Sequence, residues 1–120
     1  MSLRIALVCF GLGAMTEAVS AALRLWLYDP PWLRVANVVL VFGVFFGWLS
    51  SVIAGRPGAQ RFLVGAIVGI AYEALNLSAL HAWSFPQDRL LVLHGPVALV
   101  LGVGVAWGLL PLVAPLLVAR

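Results

Sequence analysis

Apolar residues run through this chain in four long stretches, Leu3–Leu27, Leu33–Ala54, Phe62–Trp83 and Leu90–Leu110. Each is at or above the roughly 20 residues that a helix needs to cross a bilayer. The breaks between them carry turn chemistry. Tyr28-Asp29-Pro30-Pro31 ends the first stretch, Gly55-Arg56-Pro57-Gly58 the second, and Ser84-Phe85-Pro86-Gln87-Asp88 the third. Proline has no N–H to continue a helical ladder, so these segments stop helices. Pro111 and Pro115 interrupt the last segment, which predicts a kink or an irregular continuation to Arg120. Backbone polar groups in hydrocarbon must satisfy one another, and too few strands are present to close a barrel. The pattern predicts an all-α integral membrane protein, a single domain over residues 1–120 with four transmembrane helices.

Composition strengthens that reading. The chain is 64% hydrophobic and 9% charged, with a mean hydropathy of +1.13, against about 25% charged residues in soluble domains. All seven basic residues are arginine, and the net charge is only +3. No basic run suggests nucleic acid. The lone Cys9 forms no internal disulfide. The apolar run after Met1-Ser2-Leu3-Arg4 extends past Glu17, beyond the ~7–15-residue apolar core of a signal peptide, and reads as the first span.

Four spans place both termini on one side. Arg4, Arg56, Arg61 and Arg120 fall there, against Arg24, Arg34 and Arg89 with Asp29 and Asp88 on the other. This bias points to cytoplasmic termini, with a bacterial inner membrane as the expected location. Trp26, Tyr28, Trp32, Trp83 and Phe85 gather at the opposite face, as an interfacial aromatic belt would. Small residues recur four apart: Ala14, Ala18 and Ala22, then Gly43 and Gly47, Gly65 and Gly69, Gly104 and Gly108. Such spacing lets helix backbones approach closely, either inside the bundle or along a seam in a homo-oligomer or larger membrane complex.

Against this apolar background two glutamates stand out. Glu17 lies in Gly13-Ala14-Met15-Thr16-Glu17-Ala18 and Glu73 in Gly69-Ile70-Ala71-Tyr72-Glu73-Ala74, 56 residues apart. A charged side chain at the bilayer centre costs roughly 2.5–3.5 kcal/mol or more, so it marks a function or a buried partnership. The halves superpose around them: Glu17 on Glu73 and Ser20 on Asn76, then, after a one-residue slip, Trp26 on Trp83, Tyr28 on Phe85, Asn37 on His94 and Gly47 on Gly104. Two helices per half make this a 2+2 parallel internal repeat. Helical spacing sets Ser20 and Arg24 on the face of Glu17, and Asn76 on the face of Glu73. Arg24 is a possible ion partner for Glu17, and Glu73 has no basic neighbour on its face. Asn37 and His94 enter early in the second and fourth spans. The expected site is a pocket floored by Glu17 and Glu73 as acids. Asn37, Asn76, His94, Trp83, Trp26 and Tyr28 would line it, and it would open toward the aromatic-rich face.

Other chemistry has no motif here. No phosphate-binding loop, nucleophile elbow or cysteine pair occurs, so no cofactor is expected. No ligand pair has a diagnostic metal spacing. His81 lies off the Glu73 face and reads as an interfacial residue.

Glu73-Ala74-Leu75-Asn76, followed by His81-Ala82-Trp83-Ser84-Phe85-Pro86, Gly95-Pro96 and Gly104-Val105-Ala106-Trp107, resembles carotenoid-biosynthesis membrane proteins of the hydratase type. Glu17 with Trp26-Leu27-Tyr28-Asp29-Pro30 and Gly47-Trp48 resembles a weaker second copy. The resemblance implies that Glu73 and Glu17 protonate, or stabilise charge on, a polyene or prenyl chain. Two other readings stay open. Four short spans with a glutamate in the first are similar in layout to small multidrug-resistance transporters, which exchange protons for hydrophobic cations. The chain also suits an accessory subunit of a membrane complex, with its glutamates as assembly contacts.

Overall fold

The computed structural model describes residues 1–86 and 95–118. Among them, four helical spans are long and apolar enough to cross a membrane: Leu3–Leu23, Leu33–Val52, Gly58–Leu80 and Gly95–Val118. The first is one helix, α1 (Leu3–Leu23). The second begins as α2 (Leu33–Ala36), widens into a π-helical stretch over Asn37–Phe45 and closes as α3 (Phe46–Val52). The third is α4 (Gly58–Leu75) followed by π-helical Asn76–Leu80. The fourth is split into α5 (Gly95–Ala106) and α6 (Leu109–Val118).

These boundaries depart from the sequence expectation for local reasons. The first helix ends at Leu23 instead of Leu27, because Arg24 turns left-handed (φ 54°) and its N–H returns to the Ser20 carbonyl. The third ends at Leu80 instead of Trp83, because His81 is left-handed as well (φ 48°). It also starts earlier, at Gly58, directly after Pro57. The second ends at Val52, two residues short of Ala54. The expected start of the fourth, at Leu90, lies outside the described residues. Its far end runs to Val118, beyond the expected Leu110.

The break in the fourth span explains how it tolerates two prolines. Short-range bonds from Trp107 N–H to Gly104 O (3.0 Å) and from Gly108 N–H to Val105 O (2.9 Å) close α5. A new helix then starts at Leu109, which sets Pro111 in its first turn, where a missing N–H has no ladder partner to lose. Pro115 is inside α6 and leaves the Pro111 carbonyl without a helical donor. The buried Arg61 of α4 fills that role. Its Nε donates to Pro111 O (2.9 Å), its Nη2 to Leu112 O (3.0 Å) and its Nη1 to Arg56 O (2.7 Å). Arg61 is therefore an internal clamp between the third and fourth spans.

α1 packs against the second span and α6, while α4 packs against both α5 and α6. The paired glycines are spent on contacts within the chain. A Cβ at Gly47 would strike Ala6, at Gly65 Pro111 and Gly108, at Gly104 Ile70, and at Gly108 Phe62. At one end of the bundle Ile5, Cys9 and Ala114 cluster with Val118 packed on them, so the start of the first span and the end of the fourth lie together. At the other end, strands β1 (Leu27–Tyr28) and β2 (Trp83–Ser84) pair antiparallel, Leu27 opposite Ser84 and Tyr28 opposite Trp83. The outer surface is apolar, with Leu3, Leu7, Met15, Leu40, Ile67, Val97 and Leu101 all more than half exposed.

Candidate functional site

The first and third spans end in the same kind of hook. Each helix carries a buried glutamate, a buried polar side chain three residues later, a left-handed residue, and then a tryptophan that folds back. Ser20 Oγ lies 3.4 Å from both the N–H and the C=O of Trp26. The Asn76 side chain accepts from Ala82 N–H (2.8 Å) and Trp83 N–H (3.2 Å) and donates to Trp83 O (3.0 Å). Held this way, Trp26 aims its indole N–H at Glu17 (3.1 and 3.2 Å to the two oxygens), and Trp83 aims its own at Glu73 (3.1 Å). Both glutamates are buried, at 3% and 4% exposure.

Their remaining partners differ. Glu17 also accepts from Tyr28 OH (2.7 Å), Asn37 Nδ2 (3.1 Å) and Arg34 Nη1 (3.0 Å). Arg34 forms the only salt bridge among the described residues. It further ties down the turn by donating to the Glu17 and Trp26 carbonyls (both 2.8 Å), and its guanidinium sits 4.9 Å from the Tyr28 ring centre. Tyr72 OH donates to Asn37 Oδ1 (2.6 Å), which links the third span to this cluster. Burial, and next the Glu17 carboxylate it faces, pushes the Tyr28 phenol far above its ordinary value, so it stays a neutral donor. Glu73 instead accepts from two indoles, Trp83 and Trp107 Nε1 (3.2 Å). Among the described residues no basic side chain bridges to it. Trp107 is itself fixed by Phe46 stacked at 4.9 Å, Phe42 at 4.5 Å and Tyr72 edge-on at 5.6 Å.

Both carboxyl groups line one cavity of about 330 Å³. Its walls are otherwise mostly apolar, with Leu12, Phe42, Val103, Leu110 and Val113 among them. Of the residues expected at the site, Glu17, Glu73, Asn37, Trp26, Tyr28 and Trp83 all border this cavity. Asn76 does not; its side chain is consumed by the turn it holds. His94 lies outside the described residues. Arg24 is exposed at a helix end and does not pair with Glu17; Arg34 does. Tyr28, Trp83 and Phe85 are buried together, so they form an internal aromatic cluster and not an outward belt. Tyr28, Trp83 and Trp26 roof the cavity at the end where an opening was expected. The exposed residues of its lining are Thr16, Ala106 and Leu109, on the first and fourth spans.

Sequence reasoning missed Arg34, Tyr72 and Trp107. Arg34 carries a readable signal, because it stands three residues before Asn37 and so shares its helix face. Trp107 falls near the end of the span expected from sequence, Leu90–Leu110, where a tryptophan reads as an interfacial anchor, and only the longer helical span Gly95–Val118 sets it in the middle. Tyr72, beside Glu73 in sequence, gives no comparable cue. The chain matches no family model, no curated protein and no solved structure.

Proposed function

We propose that this chain is an integral membrane protein that binds an isoprenoid-like lipid in the cavity and acts on it by acid chemistry at Glu73. The observation that carries the reading is the contrast between two carboxyl groups on one apolar cavity. Glu17 is ion-paired and saturated with donors, whereas among the described residues Glu73 meets only two neutral indoles. A group with a spare acceptor and no fixed cation is the one free to exchange a proton with a ligand. Glu17, with Arg34, Tyr28 and Asn37, is the fixed frame that positions the cavity. The aromatic rings that line the cavity with Glu73, among them Trp26, Tyr28 and Trp83, would stabilise a carbocation formed when a double bond takes up the proton.

The two hooks also support an internal 2+2 repeat. Glu17 and Glu73, Ser20 and Asn76, Trp26 and Trp83 perform the same three tasks, and the antiparallel pairing of β1 with β2 suits two copies facing across an axis along the membrane normal. Both termini are assigned to the cytoplasmic side.

The test is lipid extraction from cells making the wild-type chain or Glu73→Gln. A modified polyene or prenyl species that disappears in Glu73→Gln supports the reading, and identical lipid profiles overturn it. A proton-coupled carrier of hydrophobic cations is the second reading, favoured by the same carboxyl, which no basic side chain bridges among the described residues. It expects pH-dependent binding of a hydrophobic cation, lost in Glu73→Gln, with no new lipid product.

A further inference from the structure

The cavity holding Glu73 has its exposed lining on the sides of the bundle and not at its ends. Thr16 of α1 and Ala106 and Leu109 at the α5–α6 break are its exposed residues. Ala106 sits near the middle of the 24 described residues of the fourth span. The packing explains why a gap exists there. α1 leans on α6 and the second span, whereas α5 packs on α4. After the break at Trp107–Gly108, α6 packs on α1, whereas α5 makes no comparable packing against it. The strand pair and the aromatic cluster above it cover the adjacent end. The cluster of Ile5, Cys9 and Ala114 closes the other.

We infer that Glu73 is reached sideways, through a portal between the first and fourth spans at the depth of the hydrocarbon, and that the ligand is a chain lipid that leaves part of its length outside in the bilayer. The ligand assignment rests on the functional reading above; the portal itself is tested without any ligand. A volume of about 330 Å³ houses only part of a long polyene or prenyl chain, in the range of pockets for small ligands. The mouth residues Thr16, Ala106 and Leu109 present no charge, so the route suits an apolar chain and disfavours hydrated solutes.

The test uses two carbodiimides, which add to a carboxyl group and leave a stable N-acylurea read by mass spectrometry. Membranes containing the intact protein are treated with dicyclohexylcarbodiimide, which partitions into lipid, or with a water-soluble, charged carbodiimide. The lipid-soluble reagent is expected to modify Glu73, and the water-soluble one is not. Ala106→Trp places bulk in the mouth and is expected to abolish the modification. Val105→Trp, on the outer surface beside the mouth, is expected to leave it unchanged, with thermal unfolding confirming that both variants fold. Equal labelling by the charged reagent, unchanged labelling in Ala106→Trp, or no labelling of the wild type by either reagent would each overturn the portal. Lipid profiles unaffected by Glu73→Gln would remove the functional reading and leave the portal standing.

Discussion

A carboxylate offers about four lone-pair positions, and the two glutamates use them differently. Glu17 meets an indole, a phenol, an amide and a guanidinium, so its charge is fully answered. Removing one member of such a buried pair is worse than removing both, because it strands a charge. Arg34→Met is therefore expected to cost roughly 3–5 kcal/mol, and adding Glu17→Gln should recover part of the loss. Thermal unfolding of the two single variants and the double variant in detergent checks the order. The Tyr28 phenol gives a pH test. The folded protein holds this proton to higher pH than the unfolded chain, in which it leaves near about pH 10. The folded state then binds more protons above that pH, so stability falls as pH rises from there. Tyr28→Phe is expected to flatten this alkaline limb in unfolding midpoints measured from about pH 8 to 11. At this scale the sequence disclosed which residues are anomalous, namely two acids in apolar stretches. It hid which cation answers Glu17, since Arg24 lies on the right helix face and is carried away by the left-handed turn it makes itself.

The elements are shaped by how their ends are finished. Arg24 and His81 take up a conformation that costs an L-residue roughly 1–2 kcal/mol and costs glycine nothing comparable. His81→Gly is expected to leave stability unchanged or raised by up to about 1 kcal/mol. His81→Val, β-branched at a positive φ, should lower it by more than about 1 kcal/mol. Thermal melts of the pair decide between a tolerated cap and a required side chain. At the fourth span, Arg61→Ala leaves the buried Pro111 carbonyl without a donor, at roughly 1–3 kcal/mol. Pro115→Ala restores a helical donor to the Pro111 carbonyl, so the Arg61→Ala penalty should shrink in that background, a coupling read by a double-mutant cycle. The four spans were legible because apolar runs bounded by proline and glycine are strong signals. Their ends were not, because both left-handed caps fall on arginine and histidine, where no glycine announces them. The split of the last span was foreshadowed by its prolines. Arg61 looked like a surface arginine because nothing in sequence ties it to residues 50 positions later.

For the molecule as a whole, the glycines decide how the spans meet. A Cβ at Gly69 would overlap Trp107, the ring that reaches Glu73 from the fourth span. Gly69→Ala is expected to lower stability by roughly 1–3 kcal/mol through overpacking and to disturb the indole bond to Glu73. Gly102, where an added Cβ meets nothing, serves as the control. Gly102→Ala should be neutral or stabilising by about 0.5–1 kcal/mol, and comparison of the two unfolding midpoints separates packing from propensity. The convergence of both halves on one cavity could be anticipated from the matched settings of Glu17 and Glu73. Its direction could not. The clustered aromatics look like interfacial anchors by composition, and only the strand pair turns them inward as a roof. The side mouth has a practical corollary for measuring affinity. A molecule that meets Glu73 from within the bilayer is counted per lipid and not per litre. Occupancy should then follow its mole fraction in the membrane, and dilution with buffer at a fixed ratio of lipid to protein should leave a well-partitioned ligand in place.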